Sequence, residues 1–225
     1  MNKGTASHRR ESALSRGRII EEAIALLDES GEQGLTFRAL SERLATGAGA
    51  IYWHIHNKRD LLISACDAII ARTVDAPHAD VSPEARICMV ALGVFDAMDA
   101  HPWVGAALAR AGGELPVVRI LESLGQQVRA LGVHDANQWS TTSALMSYIL
   151  GVGGQNAAHA QLARQHGLDR MNLLTEVSQA WSRLDPDTYP FTRSMSDQLP
   201  IHDDRADFLA GIELILSGIR PPNKH

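Results

Sequence analysis

Apolar positions along the 225-residue chain recur with the three-to-four spacing of a helix, and no stretch alternates as a strand does. Ile20, Ala23, Ile24 and Leu27 fall at i, i+3, i+4 and i+7, with Glu21, Glu22, Asp28 and Glu29 off the stripe. That spacing predicts a first helix over residues 13–30, ended by Ser30-Gly31. A second is predicted over 35–44 with Thr36 as its N-cap; Ala45-Thr46-Gly47 then turns the chain, and 47–54 makes a short third helix. Asn57 opens a fourth, with Asp60 three residues on in a variant of the capping box and Leu62, Cys66, Ile69 and Thr73 along one face. The segment Ala76-Pro77-His78-Ala79-Asp80-Val81-Ser82-Pro83 is the clearest break and predicts a domain boundary. Further helices are predicted over 83–100, 102–111, 115–131, 135–165 and 168–184. An irregular connection over 187–204 carries Pro190 and Pro200, and a last helix covers 203–219. The fold class is all-α: a basic arm over 1–15, a three-helix helix-turn-helix unit over 16–62 with a linking helix reaching about 75, and a second helical domain over 76–225.

At 45% apolar residues the chain has material for a substantial core. No uncharged apolar run of membrane-spanning length occurs, and Met1 to Ser15 lacks the apolar stretch of a signal peptide, so a cytoplasmic protein that meets no membrane is expected. Cys66 and Cys88 sit in amphipathic stretches without metal-ligand spacing and read as small core residues. The net charge of −5 argues against indiscriminate nucleic-acid binding, but its distribution is uneven. Residues 1–60 hold nine Lys/Arg against eight Asp/Glu, and the remainder twelve against eighteen. A locally basic head on an acidic body is what a site-specific binder of double-stranded DNA requires.

The segment Ile51-Tyr52-Trp53-His54-Ile55-His56-Asn57-Lys58-Arg59 places aromatic, imidazole and cationic groups where a short helix hands over to a long one. From Arg16 to about Ala68 the chain resembles the TetR family of bacterial one-component repressors. The resemblance implies a dimeric regulator that binds a palindromic operator and releases it on binding a small molecule. It also implies that Arg38 contacts a base from the second helix, that Tyr52, Trp53 and His54 lie at phosphates and groove, and that Lys58 grips a phosphate at a helix start. Arg16, Thr36, Gly47, Ala48, Gly49 and Ala50 complete the expected DNA-binding surface. Gly47-Ala48-Gly49-Ala50 departs from the polar or larger residues common in the family, and Ala45-Thr46 from its usual Gly-Val. Base readout from the third helix is therefore expected to rest on Arg38, on methyl contact from Ala48 or Ala50 and on DNA shape. Ile51 and Ile55 share a helical face and read as core. Arg9, Arg10, Arg16 and Arg18 give an arm that follows the DNA or remains a solvated tail.

In the second domain, Met89, Phe95, Met98, Trp103, Trp139, Met146, Tyr148, Gln155, Asn156, His159 and Trp181 are large or singly polar side chains of the kind that lines an apolar cavity between helices. Trp103, Phe95 and Trp139 are the expected walls, and Gln155, Asn156 or His159 the polar contacts, for a flat, mostly apolar effector; ordinary core is the alternative for each. Phe208, Leu209, Ile212, Ile215, Leu216 and Ile219 make a wide apolar arc. With Tyr148 and Gly151 of the 135–165 helix they form the expected two-fold interface of a homodimer, as the resemblance implies. His159 and His166 lie seven residues apart, too far for one ion, and His101-Pro102-Trp103 matches no metal-binding histidine of the family. No Gly-x-Ser-x-Gly, His-Glu-x-x-His, Walker loop or Cys-x-x-Cys is present, so no enzyme, metal or cofactor is expected. The reading of another class is a helical ligand- or partner-binding protein whose head no longer recognises specific DNA.

Overall fold

The computed structural model describes residues 14–75, 81–165, 167 and 170–219, and these contain no strand. Residues of the expected arm, including Arg9 and Arg10, the centre of the expected boundary at 76–80, and His166 lie outside the described residues. Among the described residues no single helix is long and apolar enough to cross a membrane.

The head is built from α1 (Arg16–Gly34), α2 (Phe37–Arg43), α3 (Ala48–Tyr52) and the first half of α4 (Lys58–Val74). Ser15 caps α1 by accepting the Arg18 amide at 3.2 Å, and Gly31, at φ 64°, breaks its regular course three residues before the end of the span. Ile19, Ala23, Ile24 and Leu27 form the buried stripe; Ile20 sits at its edge. Thr36 caps α2 through the Ala39 amide, and Asn57 caps α4 through the Asp60 amide at 2.8 Å. The Asp60 carboxylate returns the bond one residue early, to the His56 amide at 3.0 Å, a shifted version of the reciprocal box.

The body consists of α5 (Pro83–Ala100), α6 (Trp103–Arg110), α7 (Leu115–Ala130), α8 (Asp135–Gln165), α9 (Arg170–Ser182), α10 (Pro190–Ser194) and α11 (Asp204–Ile219), with a 3₁₀ turn at Leu199–Ile201. The connection over 187–204 is thus not irregular throughout: Pro190 opens α10 and Pro200 lies within the 3₁₀ turn, where a proline gives up no needed amide.

Helix α4 is buried on both sides. Leu61, Leu62 and Ala65 enter the core of the head, while Cys66, Ile69, Ile70 and Val74 continue into the body, where α5 and α7 pack against it. Both cysteines are free, and burial pushes the Cys66 thiol up to about 12, leaving it protonated and inert. Trp103, expected as a cavity wall, is buried elsewhere. Its indole N–H donates to Asp28 of α1 at 2.7 Å, and His101 Nδ1 lies 2.8 Å from the same carboxylate oxygen. Arg110 at the far end of α6 pairs with Glu32 of α1, so α6 is fastened to the head at both ends.

Helix α11 packs inward on α5 and α8. Phe208, Ile212 and Leu216 are buried within the chain, and Tyr148 stacks on Phe208 while its hydroxyl donates to the Phe208 carbonyl at 3.2 Å. These four expected interface residues are therefore intrachain core, because the arc they form is occupied by the chain's own α5 and α8. Leu209, Ile215 and Ile219 are half-buried beside them, and Gly151 is exposed. Gly211 is required where Tyr148 crosses α11, since a Cβ there would sit 1.8 Å from the tyrosine oxygen. Gly211→Ala gains about 1 kcal/mol of helix propensity but displaces a stacked, hydrogen-bonded ring, which costs about 1–3 kcal/mol. Denaturant unfolding is expected to show net destabilisation that largely disappears when Tyr148→Leu is added.

Candidate nucleic-acid interface and effector cavity

The turn between α2 and α3 sets the reading surface. Thr46 N donates to Ser41 O at 3.0 Å and Ala45 N to Glu42 O at 3.3 Å, the paired bonds of a Schellman ending. Such an ending places its C′ residue in the left-handed region, normally a glycine position, and here Ala45 takes it at φ 49°. Alanine bears that conformation at a cost, but the turn still delivers Gly47 as the cap of α3 and presents Gly47, Ala48 and Gly49 to solvent.

Beside them Arg38 is almost fully exposed, with 90% of its side chain accessible, and among the described residues pairs only with Glu42 at 3.1 Å, one turn along α2. Tyr52 stacks on Phe37 with ring centroids 4.4 Å apart, and Trp53 is 88% exposed at the end of α3. Ile51 and Ile55, at 0% exposure, hold this short helix to the head. Arg38, Gly47, Ala48, Gly49, Tyr52 and Trp53 are thus all exposed around one helix and its turn, and an indole this open is not held by packing against the described residues.

Other expected contacts have second partners. Arg16 donates to the His54 carbonyl at 2.8 Å and Ser64 Oγ at 2.7 Å and meets Asp60 at 3.4 Å, so it clamps the α3–α4 turn. The Thr36 hydroxyl is engaged as the α2 cap. Lys58 donates to the Glu32 carbonyl at 2.6 Å, using one of its three donors. Ala50 and His54 are partly covered. Around Asp60 burial raises the carboxyl's pKa, but the His56 amide and the Arg16 and Ser64 side chains outweigh it and hold the group below its ordinary value.

A cavity of about 950 Å³ opens in the body between α5, α8, α9 and the start of α11. Phe95, Asn156, His159 and Trp181 line it as expected residues, with Leu173, Leu174 and Val177 of α9 completing the apolar wall. Met98 and Met146 do not reach it and are core; Trp139 is 71% exposed on the surface, Gln155 is exposed, and Trp103 faces Asp28 instead. The tryptophans misled because size alone does not say which side of a helix faces a void. The missed signal lay in α9. Leu173, Val177 and Trp181 recur at i, i+4 and i+8, yet α9 buries no residue, so its apolar face borders a space rather than a core. The polar rim includes Asp96, Asp99, Arg170, His202 and Asp204, none foreseen. Burial raises the pKa of the Asp204 carboxyl, but Arg170 and His202 prevail and hold it low.

A turn-linked pair of helices with an exposed reading edge, coupled to a helical body containing a cavity, defines a helix-turn-helix regulator. The family description "Bacterial regulatory proteins, tetR family" matches residues 19–65, and "Tetracyclin repressor-like, C-terminal domain" matches 84–221; the chain belongs to the TetR family. It is similar to SCO7222, a TetR transcriptional regulator of Streptomyces coelicolor, at 53% identity and a TM-score of 0.83 over 92% of this chain and 98% of that one. The class A tetracycline repressor of Escherichia coli is 45% identical over 64 residues, 28% of this chain and only 30% of the repressor's length. BioQ solved with its double-stranded DNA operator is similar at 25% identity, covering 92% of this chain and 98% of that one with a TM-score of 0.58.

Two tests follow from the head. Ala45→Gly relieves the left-handed alanine and is expected to stabilise the protein by about 0.5–1 kcal/mol in denaturant unfolding, the strain released exceeding glycine's extra unfolded-state entropy. The depressed Asp60 carboxyl contributes stability that is complete above its ordinary titration range and is lost as pH falls through the folded value. Asp60→Asn should therefore lower stability by about 1 kcal/mol at neutral pH, the contact being partly solvated, and its deficit relative to the parent should shrink below about pH 4.

Proposed function

We propose that the protein is a cytoplasmic transcriptional repressor that binds a palindromic operator as a homodimer and lets go when a small molecule occupies the body cavity. The observation that carries this reading is the reading edge itself. Arg38 and Trp53 stand open beside a patch of glycine and alanine small enough for a DNA backbone or base edge to approach closely. Arg38 is a long cation next to that patch, and a guanidinium that exchanges Glu42 for the edge of a guanine supplies about 1–3 kcal/mol of discrimination. Lys58, at the start of α4 and exposed, with one bond to the Glu32 carbonyl among the described residues, suits a phosphate at a helix N-terminus.

A single head of this kind reads few bases, so a second copy is needed. The outer faces of α8 and α11 carry Ala144, Ser147, Gly151, Ala158 and Ala210 with Leu214 projecting at 73% exposure, small residues around one anchor, and they are the faces proposed for the two-fold contact. Two heads about 34 Å apart then enter successive major grooves. The cavity adjoins α5, which packs on α4, and α4 ends in the head; a ligand that shifts these helices changes the spacing of the heads. No catalytic step is assigned to any residue.

Selection of bound duplexes from a random pool at about 150 mM salt tests the reading, because phosphate-only binding is suppressed there. A palindrome with half-sites about ten base pairs apart is expected. No enriched site would overturn it in favour of a ligand-binding protein with a silent head, the outcome that Gly47-Ala48-Gly49-Ala50 would then explain. On the selected operator, Arg38→Ala is expected to relax preference at one base pair per half-site. Lys58→Ala is expected to weaken all sequences alike and flatten the salt dependence.

A further inference from the structure

Among the described residues, charge around the cavity is out of balance. Four carboxylates line it, Asp96, Asp99, Asp203 and Asp204, against two guanidiniums, Arg170 and Arg205. Both guanidiniums are already committed. Arg205 grips Asp96 through bonds of 2.8 and 3.1 Å, and Arg170 pairs with Asp204, which also meets His202 at 2.7 Å. Asp203 is satisfied differently, accepting the Arg205 and Ala206 amides at 2.9 and 3.0 Å where α11 begins.

Asp99 is left with a neutral donor, the Asn156 amide at 3.1 Å, and makes no ion pair among the described residues. It stands one turn beyond Phe95 on α5, so a single helix presents the apolar wall and then, at the rim, an uncompensated carboxylate. Trp181 and the α9 leucines supply the other apolar side. A carboxylate here repels an anion and contributes nothing to a purely apolar guest. It favours a ligand that brings its own positive charge.

Resting on the reading of this cavity as the effector site, we propose that the effector is an amphipathic cation, a flat apolar body carrying a protonated amine, with Asp99 as its counter-ion. The aromatic body lies against Phe95, Trp181 and Leu174, and the amine reaches the rim.

Three tricyclic probes of matched shape test this on the full-length, DNA-free protein: 9-aminoacridine, which is cationic at neutral pH, acridine, which is neutral, and acridine-9-carboxylate. Titration by calorimetry, with tryptophan quenching in parallel, gives their affinities. The expected order is cation, then neutral, then anion, with about fivefold between the first two, since an open-rim ion pair is worth up to about 1 kcal/mol. Asp99→Asn is expected to erase that ratio while leaving acridine affinity unchanged. Val177→Trp, which crowds the α9 wall of the cavity with a larger ring, should weaken binding of 9-aminoacridine about tenfold in a variant whose helical circular dichroism is that of the parent. The proposal is overturned if the carboxylate binds as well as the cation, if Asp99→Asn preserves the preference, if Val177→Trp leaves binding unchanged, or if no probe binds. Operator selection is independent of all four results, so loss of this inference leaves the regulatory reading standing, and a missing operator leaves this inference testable.

Discussion

Everything in this molecule hangs on α4 being buried from two sides. A helix in water satisfies itself by hiding one face; α4 hides Leu61, Leu62 and Ala65 in the head and Ile69, Ile70 and Val74 in the body. Neither domain can drop it without exposing several large apolar side chains, each worth about 1.5–3 kcal/mol when fully buried. The consequence is mechanical. Rotation of the body about α4 must be passed to the head, because packed interiors move between discrete arrangements rather than yielding by degrees. The ties at Asp28 with His101 and Trp103, and at Glu32 with Arg110, add polar fastening on α6, while Arg119 on α7 holds Asp67 of α4 and Asp75, the residue that caps its C-terminus. The linking helix is held from the body at several points, and its N-terminus carries whatever displacement results into the turn that Arg16 clamps.

How far the sequence disclosed this depends on whether a feature is local. Caps were legible because Thr36 and Asn57 bond three residues away, and α5 to α8 were legible because Gly and Pro punctuate them within a residue or two of where they end. The exposure of Arg38, Gly47 to Gly49, Tyr52 and Trp53 around one turn followed for the same reason, since they lie in one short stretch whose geometry the turn sets. The Schellman ending with an alanine at its left-handed position could be placed at Ala45-Thr46 but its strain could not, since that is a property of φ alone.

Tertiary partners were not legible. Trp103 and Trp139 are side chains of the kind that lines a cavity and neither lines this one, one drawn to a carboxylate on α1 and the other left in solvent. The α11 arc was read as an interface because it is wider than one helix contact needs, but α5 and α8 together occupy it. The cavity forms from α9 and the first turn of α11, segments whose side chains meet only after the chain passes the α10 and 3₁₀ turns. Its ion-pair lattice therefore joins residues as distant as Asp96 and Arg205, a pairing no local pattern announces.

The head's cations deserve a different accounting from the one their number suggests. Arg38 rests on Glu42, Arg43 on Glu22 and Glu29, Arg59 on Glu114, and Lys58 on a backbone carbonyl. At these four side chains a nucleic acid meets engaged groups rather than bare charges, so each phosphate or base contact there is an exchange whose net gain is the difference between two modest interactions. For a protein carrying net −5 overall, that lowers attraction to arbitrary DNA, where only phosphates compensate. A base edge that satisfies Arg38 with two bonds outweighs a single exposed contact with Glu42, whereas a mismatched one does not. On the proposed function Glu42 is a competitor for the guanidinium, which would let a head whose α2–α3 turn offers only glycine and alanine discriminate with one arginine per half-site.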